Sequence, residues 1–214
     1  GHMGMGRRGV QSLVLSEEIT TALGDLARSQ HTTVNTVLHS AWAQMLMWLT
    51  GQNDVAFGTT VSGRPTDLPG GEGIVGLLIN TVPVRATITA DTTIASLLAQ
   101  LQTAHNNTLD HQHMALSEIH RAVGKDQLFD TAFVFENYPM ESAEPAGPDA
   151  LTVTDVTPRE FNHYPLTVQA VPGRELTLRV EYDSELFEEK TITKLVGRLR
   201  RVLMAITADQ GQGS

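Results

Sequence analysis

The stretch Val75-Gly-Leu-Leu-Ile-Asn-Thr-Val-Pro-Val-Arg85 is the part of this chain that decides its fold. Between Leu77 and Ala86 β-branched residues are frequent, a pattern that predicts a β-strand. Pro83 has no N–H to donate to a neighbouring strand, so the strand should lie at a sheet edge or end before the proline. The chain therefore contains a sheet, and this stretch does not lie at its centre.

The strongest helix pattern precedes that strand, at residues 34–49. Apolar residues recur there at helical spacing and form one continuous stripe, which is typical of a helix that packs into a core. Thr32 or Thr33 should cap its beginning, because a hydroxyl oxygen can accept a free first-turn N–H. Gly51 should end it.

Four further segments have the same helical spacing of apolar residues. Ser16 should cap a helix that runs to about Ser29, and Asp91 or Thr92 should cap the helix that begins near Ile94. The predicted helices are at about residues 16–29, 94–104, 116–123 and 192–206.

Strand patterns make up the rest of the regular structure. Pro172-Gly173 is a tight turn between two of them, which predicts an antiparallel hairpin. Helices laid on a mixed sheet form an α/β sandwich, and no internal repeat suggests a second domain. The predicted strands, besides the one described first, are at residues 54–61, 131–136, 151–156, 165–171 and 175–182.

Composition excludes several functions. The chain has 214 residues, 41% of them hydrophobic, and a net charge of −9 that should repel phosphate backbones and anionic lipids. We therefore expect no nucleic-acid or membrane partner. The absence of cysteine excludes thiol catalysis and disulfides, and with no membrane-spanning stretch it favours a cytoplasmic protein. Residues 1–6 are interpreted as an expression-tag remnant and linker.

Two apparent cofactor motifs lack the context that they need. Gly71-Glu-Gly-Ile-Val-Gly76 has dinucleotide-binding spacing, but Pro69-Gly70 precedes it and a predicted strand, not a helix, follows it. His111 and His113 are spaced for metal binding only on a strand, and nothing nearby completes a ligand set. We expect neither a directly bound cofactor nor a metal.

Two polar residues are candidates for a catalytic group. Ser62 lacks the first glycine of a nucleophile elbow, so a hydrolase is not favoured. His163, in Asn162-His-Tyr-Pro165, precedes a predicted strand where loops often line pockets. It is either a general base or a loop histidine held by hydrogen bonds for structural reasons, and the second role is favoured.

Several segments, in order, resemble the motifs of condensation domains of nonribosomal peptide synthetases. Residues 75–85 resemble V-G-x-F-V-N-T-x-x-x-R, with Leu78 where phenylalanine is usual. The other matching segments are Gly58 to Pro65, His111 to Ser117 (a degraded H-Q-D-x-P-F-E), Phe129 to Pro139 (F-D-T-x-x-x-F-E-N-Y-P) and Arg159 to Leu166 (a variant of R-D-x-S-R-N-P-L).

The resemblance implies a fold similar to chloramphenicol acetyltransferase, with residues 7–210 as the C-terminal lobe of such a domain. It implies that acyl or peptidyl groups, carried on 4'-phosphopantetheine, are transferred to an amine. The implied partners are an N-terminal lobe, donor and acceptor peptidyl carrier proteins, and an adenylation domain. The family's H-H-x-x-x-D-G motif is absent from the sequence, so no catalytic residue is expected here and the chain should be inactive alone.

The resemblance also implies which residues line the tunnel between the two lobes. Asn80 has a second possible role, in which it stands at the end of the strand and its side chain forms hydrogen bonds with backbone groups. Segments 62–73 and 138–157 resemble the family's floor loop and latch. The tunnel candidates are Ser62, Asn80, Arg85, Asn162 and His163, and the residues of the lobe-crossing loops are Arg64, Pro65, Gly73, Tyr138 and Pro139.

Three alternatives to an ordinary condensation domain stay open. The chain could belong to an epimerization, heterocyclization or terminal condensation domain, or it could be a non-catalytic module that recognises a carrier protein. A free-standing acyltransferase would need H-x-x-x-D, and none of the eight histidines has an aspartate four residues later.

Overall fold

The computed structural model describes residues 7–62, 79–136 and 163–208, which form one mixed sheet with helices packed against it. The strands are β1 (Arg8–Val14), β2 (Asp54–Val61), β3 (Asn80–Thr87), β4 (Thr131–Phe135), β5 (Leu166–Val171) and β6 (Thr177–Asp183). The helices are α1 (Glu17–Ser29), α2 (Val34–Thr50), α3 (Ile94–Thr108), α4 (Leu116–Val123) and α5 (Glu189–Ala208).

The six strands lie in the order β1-β6-β5-β4-β2-β3. The central strands β2, β4 and β5 are mutually parallel, whereas β3, β6 and β1 pair with their neighbours in the antiparallel direction. β5 and β6 form the predicted hairpin. β3 lies at one edge of the sheet, so the prediction made from Pro83 is confirmed.

The main core lies between one face of the sheet and the helices α1, α2, α3 and α5. Trp42 on α2, Phe57 on β2 and Phe133 on β4 are its largest fully buried side chains. Thr33 caps α2 and Gly51 ends it with φ 68°, in the left-handed region that glycine adopts without strain. The prediction of a core helix is confirmed.

A second, smaller cluster lies on the opposite face of the sheet. Phe129, Ala132 and Tyr164 are buried there, and Leu116 of α4 packs against them. The chain therefore passes from α3 on one face to α4 on the other. It does so through a short 3-10 helix, Leu109–His111, and the residues that follow it around the end of β3.

Some details differ from the sequence predictions. Thr93, and not Asp91 or Thr92, caps α3. β1 was not predicted, although it pairs with β6 along its whole length. The predicted strand at residues 151–156 lies outside the described residues. In the part of the chain that the structure describes, no helix has the length and apolar run needed to cross a bilayer.

Candidate functional site

Four of the five segments that carry the sequence motifs meet on the sheet face opposite the main core. Gly58 of β2 lies directly against the ring of Phe129. A Cβ atom on residue 58 would come within 2.4 Å of Phe129 Cε2 and 3.0 Å of Thr81 Cγ2. Because carbon atoms do not approach so closely, the ring can pack here only when residue 58 is glycine.

Tyr164 completes this contact. Its ring centroid lies 5.6 Å from that of Phe129, and its hydroxyl lies beside Thr81. Burial raises the pKa of Tyr164, and the interaction with Thr81 opposes part of that rise. We call Gly58, Asn80, Thr81, Phe129 and Tyr164 the motif cluster, since it joins residues from four of the motif segments.

Asn80, the first residue of β3, joins the fifth segment to the cluster. Its side-chain amide donates to the backbone carbonyl oxygens of Gln112 at 2.8 Å and Met114 at 2.7 Å. Its oxygen accepts from the N–H of Thr81 at 2.9 Å. These bonds are the backbone-satisfying role that the sequence left open, and they hold the crossing between α3 and α4. A role for Asn80 in a tunnel wall stays a prediction.

Replacing Asn80 with alanine should destabilise the fold by about 1–2 kcal/mol, because two partly buried carbonyl groups lose their donor. Hydrogen exchange of the amides between residues 112 and 118 should become faster, while exchange in β5 and β6 changes little. The control is Asn107→Ala, an exposed position on α3 that should leave both measurements unchanged. Equal effects of the two substitutions would show that Asn80 does not hold the crossing.

Arg85 lies apart from Asn80. The two are five residues apart on β3, which places their side chains on opposite faces and about 17 Å apart along the strand. Arg85 is exposed and binds Asp54 through two hydrogen bonds of 2.8 and 2.6 Å. The hydrogen bond from Arg85 holds the pKa of Asp54 below its ordinary value. The structure therefore does not bring these two tunnel candidates together.

Ser62 and His163 flank the motif cluster. Ser62 is exposed and follows Val61, the residue that pairs with Asn80. His163 is exposed, and its ring lies 4.3 Å from the ring of Tyr164. Asn162, all the lobe-crossing residues (Arg64, Pro65, Gly73, Tyr138 and Pro139), and nearly all of the predicted floor-loop and latch segments lie outside the described residues.

The structure also shows a histidine that sequence reasoning missed. His39 on α2 is buried between Phe57 and Phe133, with ring centroids 5.3 and 5.2 Å away in edge-to-face geometry. Burial, with a smaller contribution from His105, lowers the pKa of His39 from 6.5 to about 3. The available signal was a histidine within the apolar pattern of a core helix, three residues before Trp42.

The described residues hold no complete catalytic set. Thr59 contacts His39 but donates its hydroxyl hydrogen to the carbonyl oxygen of Phe133, so it is not a free nucleophile. No group of three histidine, aspartate or glutamate residues in the described ranges could hold a metal ion. What these residues provide is a fixed surface in which five motif segments hold one another in place.

A known protein family matches nearly the whole chain: the family described as "Condensation domain" matches residues 7–213. Tyrocidine synthase 2 of Brevibacillus parabrevis is 36% identical over 92% of this chain, which covers 6% of that protein. Surfactin synthase subunit 3 of Bacillus subtilis (strain 168) is 35% identical over 92% of the chain and 16% of its own length. The chain thus spans a small part of the curated relatives that it matches.

Solved structures show the same fold. A four-domain nonribosomal peptide synthetase, AB3403, matches with a TM-score of 0.82 at 21% identity over 94% of this chain and 17% of its own. The first condensation domain of the CDA synthetase matches with a TM-score of 0.75 at 20% identity. The match covers 96% of this chain and 47% of that one, so this chain spans less than half of the CDA structure.

The architecture is thus an α/β lobe similar to chloramphenicol acetyltransferase, with helices over a mixed sheet, and the predicted fold class is confirmed. The chain belongs to the condensation-domain family of nonribosomal peptide synthetases. The resemblance that the motifs indicated is therefore confirmed.

Proposed function

We propose that this chain is the C-terminal lobe of a condensation domain and forms one wall of a tunnel in which an amide bond is made. A donor acyl or peptidyl thioester on one carrier protein would be transferred to the amine of an acceptor aminoacyl group on a second carrier. Both substrates would arrive on 4'-phosphopantetheine arms, so the chain itself would bind no cofactor. The observation that carries the proposal is the meeting of five motif segments at one place on the sheet.

The residues of this chain indicate which part of the reaction it would supply and which part would come from the other lobe. It has no His-His pair, and its described residues provide no base beside a free nucleophile. The chain also covers 47% of a condensation domain of the same fold. The base would come from an N-terminal lobe, and this lobe would supply position. Aligning two tethered reactants can lower a barrier by about 7–11 kcal/mol in the best cases, so a wall without a base can still contribute strongly.

A cysteine at Ser62 tests where the tunnel runs. The chain has no cysteine of its own, so Ser62→Cys introduces a single thiol at an exposed position beside the motif cluster. Before the reaction, this thiol is converted to its mixed disulfide with thionitrobenzoate. With an N-terminal lobe that carries H-H-x-x-x-D-G, the free phosphopantetheine thiol of a carrier protein should attack that disulfide, release thionitrobenzoate and remain linked to residue 62. The rate should be at least about tenfold higher than without that lobe, because the tunnel raises the effective concentration of the arm.

The matched control is Thr103→Cys, an exposed position on α3. Its mixed disulfide should react with the carrier at the same slow rate with and without the N-terminal lobe. If both mixed disulfides reacted equally in the assembled lobes, Ser62 would not line the path of the phosphopantetheine arm. Mass spectrometry of the disulfide-linked product gives the rates directly.

A second candidate is a non-catalytic module that binds a partner protein. The X-domain from teicoplanin biosynthesis has the same fold, with a TM-score of 0.77 at 23% identity, and a related structure contains the X-domain with OxyB. The fold therefore also occurs in a domain that forms a complex with another protein. Binding of a carrier protein by this chain alone, with no gain when the N-terminal lobe is added, would favour this candidate.

A further inference from the structure

A cleft lies between α2, α3 and the edge strand β3, away from the motif cluster. Its volume is about 230 Å³, and apolar side chains form much of its wall. We call it the α2–α3 cleft. The lining residues that matter below are Asn35, His39, Thr59, Val82, Leu101 and Ala104.

His39 provides a hydrogen-bond acceptor in this cleft. The hydroxyl of Thr59 donates its single hydrogen to the carbonyl oxygen of Phe133 at 2.9 Å. The hydroxyl oxygen of Thr59 also lies 3.3 Å from Nε2 of His39. Since its hydrogen is already used, this oxygen can only accept a hydrogen bond there, so the ring proton of His39 is on Nε2. The other nitrogen of the neutral ring, Nδ1, is then an acceptor, and no described residue donates to it. More than nine-tenths of the His39 surface is buried.

Asn35 contributes a second unsatisfied group. It lies one helical turn before His39 on α2, and its side-chain oxygen is buried without a hydrogen-bond partner among the described residues. A buried polar atom without a partner costs about 1–3 kcal/mol, and a ligand that supplies the partner recovers that free energy. Two unsatisfied polar groups thus line the cleft, beside apolar side chains and the further polar residues Thr33, Thr36, Arg85, His105 and Thr108.

We infer that the α2–α3 cleft is a binding site for a small neutral molecule with an apolar ring and one O–H or N–H donor. The ring would contact Val82, Leu101 and Ala104, and the donor would bind His39 Nδ1. A cavity of about 150 Å³ is enough for a benzene ring, so this cleft has room for a ring with one substituent. Arg85 and His105 also line the cleft, but the guanidinium of Arg85 is paired with Asp54 and His39 stays uncharged. The wall beside His39 therefore favours a neutral ligand over an ion.

Two fluorinated probes of equal size separate donor recognition from apolar filling. 4-Fluorophenol carries a hydroxyl where 4-fluorotoluene carries a methyl group, and both can be titrated by ¹⁹F NMR at pH 7. One satisfied hydrogen bond should make 4-fluorophenol bind about fivefold more tightly. In protein labelled with ¹⁵N-histidine, the Nδ1 resonance of His39 should shift as 4-fluorophenol is added.

Variants locate the site. His39→Leu removes the acceptor and should make the two probes bind equally. Ala104→Leu fills the cleft from an exposed position on α3 and should abolish binding of both probes without touching His39. Its matched control, Ala99→Leu, changes an exposed alanine of the same helix that does not line the cleft, and should leave binding unchanged.

Three results would overturn the inference. Neither probe binds the unmodified chain, the two probes bind it equally, or Ala104→Leu leaves binding intact. The test does not depend on the proposed function, because it uses the chain alone and measures no acyl transfer. Failure of His39→Leu to fold would not remove the test, since Ala104→Leu and the comparison of probes stand without it.

Discussion

Acidification from pH 7 to pH 4 should lower the free energy of unfolding by about 3 kcal/mol through His39 alone. The folded state holds the pKa of His39 near 3, whereas the unfolded chain has the ordinary value of 6.5. Between these values the unfolded state binds a proton that the folded state does not. The contribution is therefore absent above pH 6.5, grows as the pH falls, and becomes constant below about pH 3.

Urea unfolding at pH 7, 6, 5 and 4 measures this effect. His39→Gln removes the titrating group, and its free energy of unfolding should fall less with acidification than that of the unmodified chain. The difference between the two chains isolates His39 from the carboxyl groups, which titrate in both. Identical pH dependence in the two proteins would show that His39 is not buried as the structure describes.

Gly58→Ala should destabilise the chain by about 2–3 kcal/mol, because the added methyl group overlaps the ring of Phe129. The ring or the strand must move, and the contact between the motif segments is lost. In the assembled lobes the same substitution should lower the rate of amide formation, since the wall depends on these contacts. Thermal and urea unfolding measure the first effect, and single-turnover assays the second.

A double substitution separates the clash from other causes. Phe129→Leu makes room beside residue 58, so Gly58→Ala should cost less in the Phe129→Leu background than in the unmodified chain. Gly197→Ala is the control, because a Cβ atom there meets nothing within 4 Å and the residue lies inside α5. That substitution should stabilise the chain by about 0.5–1 kcal/mol. Additive effects of the changes at residues 58 and 129 would contradict the account.

The sequence predicted those elements whose signal is local. The apolar stripe of α2, its cap Thr33 and its terminating Gly51 all lie within one segment, so no distant contact was needed to recognise them. Pro83 placed β3 at an edge because a missing N–H acts wherever the strand lies. The hairpin of β5 and β6 followed in the same way from the turn between them.

Elements that depend on distant partners were missed. β1 is held by β6, and Arg8 pairs with Asp183, 175 residues later in the chain. Only Leu13 of β1 is buried, so the segment itself carries little apolar signal. Thr93 caps α3 although two earlier residues are equally good caps, because where the helix begins depends on how it packs. The neutral state of His39 depends on Phe57 and Phe133, which lie on two strands.

The candidate site was predictable in composition but not in arrangement. The motif resemblance identified the segments that meet, including those that contain Gly58, Phe129 and Tyr164. It did not show that Asn80 binds the backbone at residues 112 and 114, or that Arg85 pairs with Asp54. The first depends on how the chain passes around the end of the sheet, and the second depends on the register of β2 and β3, neither of which a linear motif records.

The most direct test of the central claim is amide formation by two lobes expressed separately. This chain is mixed with an N-terminal lobe that carries H-H-x-x-x-D-G and with donor and acceptor carriers loaded on their phosphopantetheine arms. Product measured by mass spectrometry should form only when both lobes are present, and should fall sharply when the second histidine of the motif is replaced by alanine. Product formed by this chain alone, or no product from lobes shown to be folded and associated, would contradict the account.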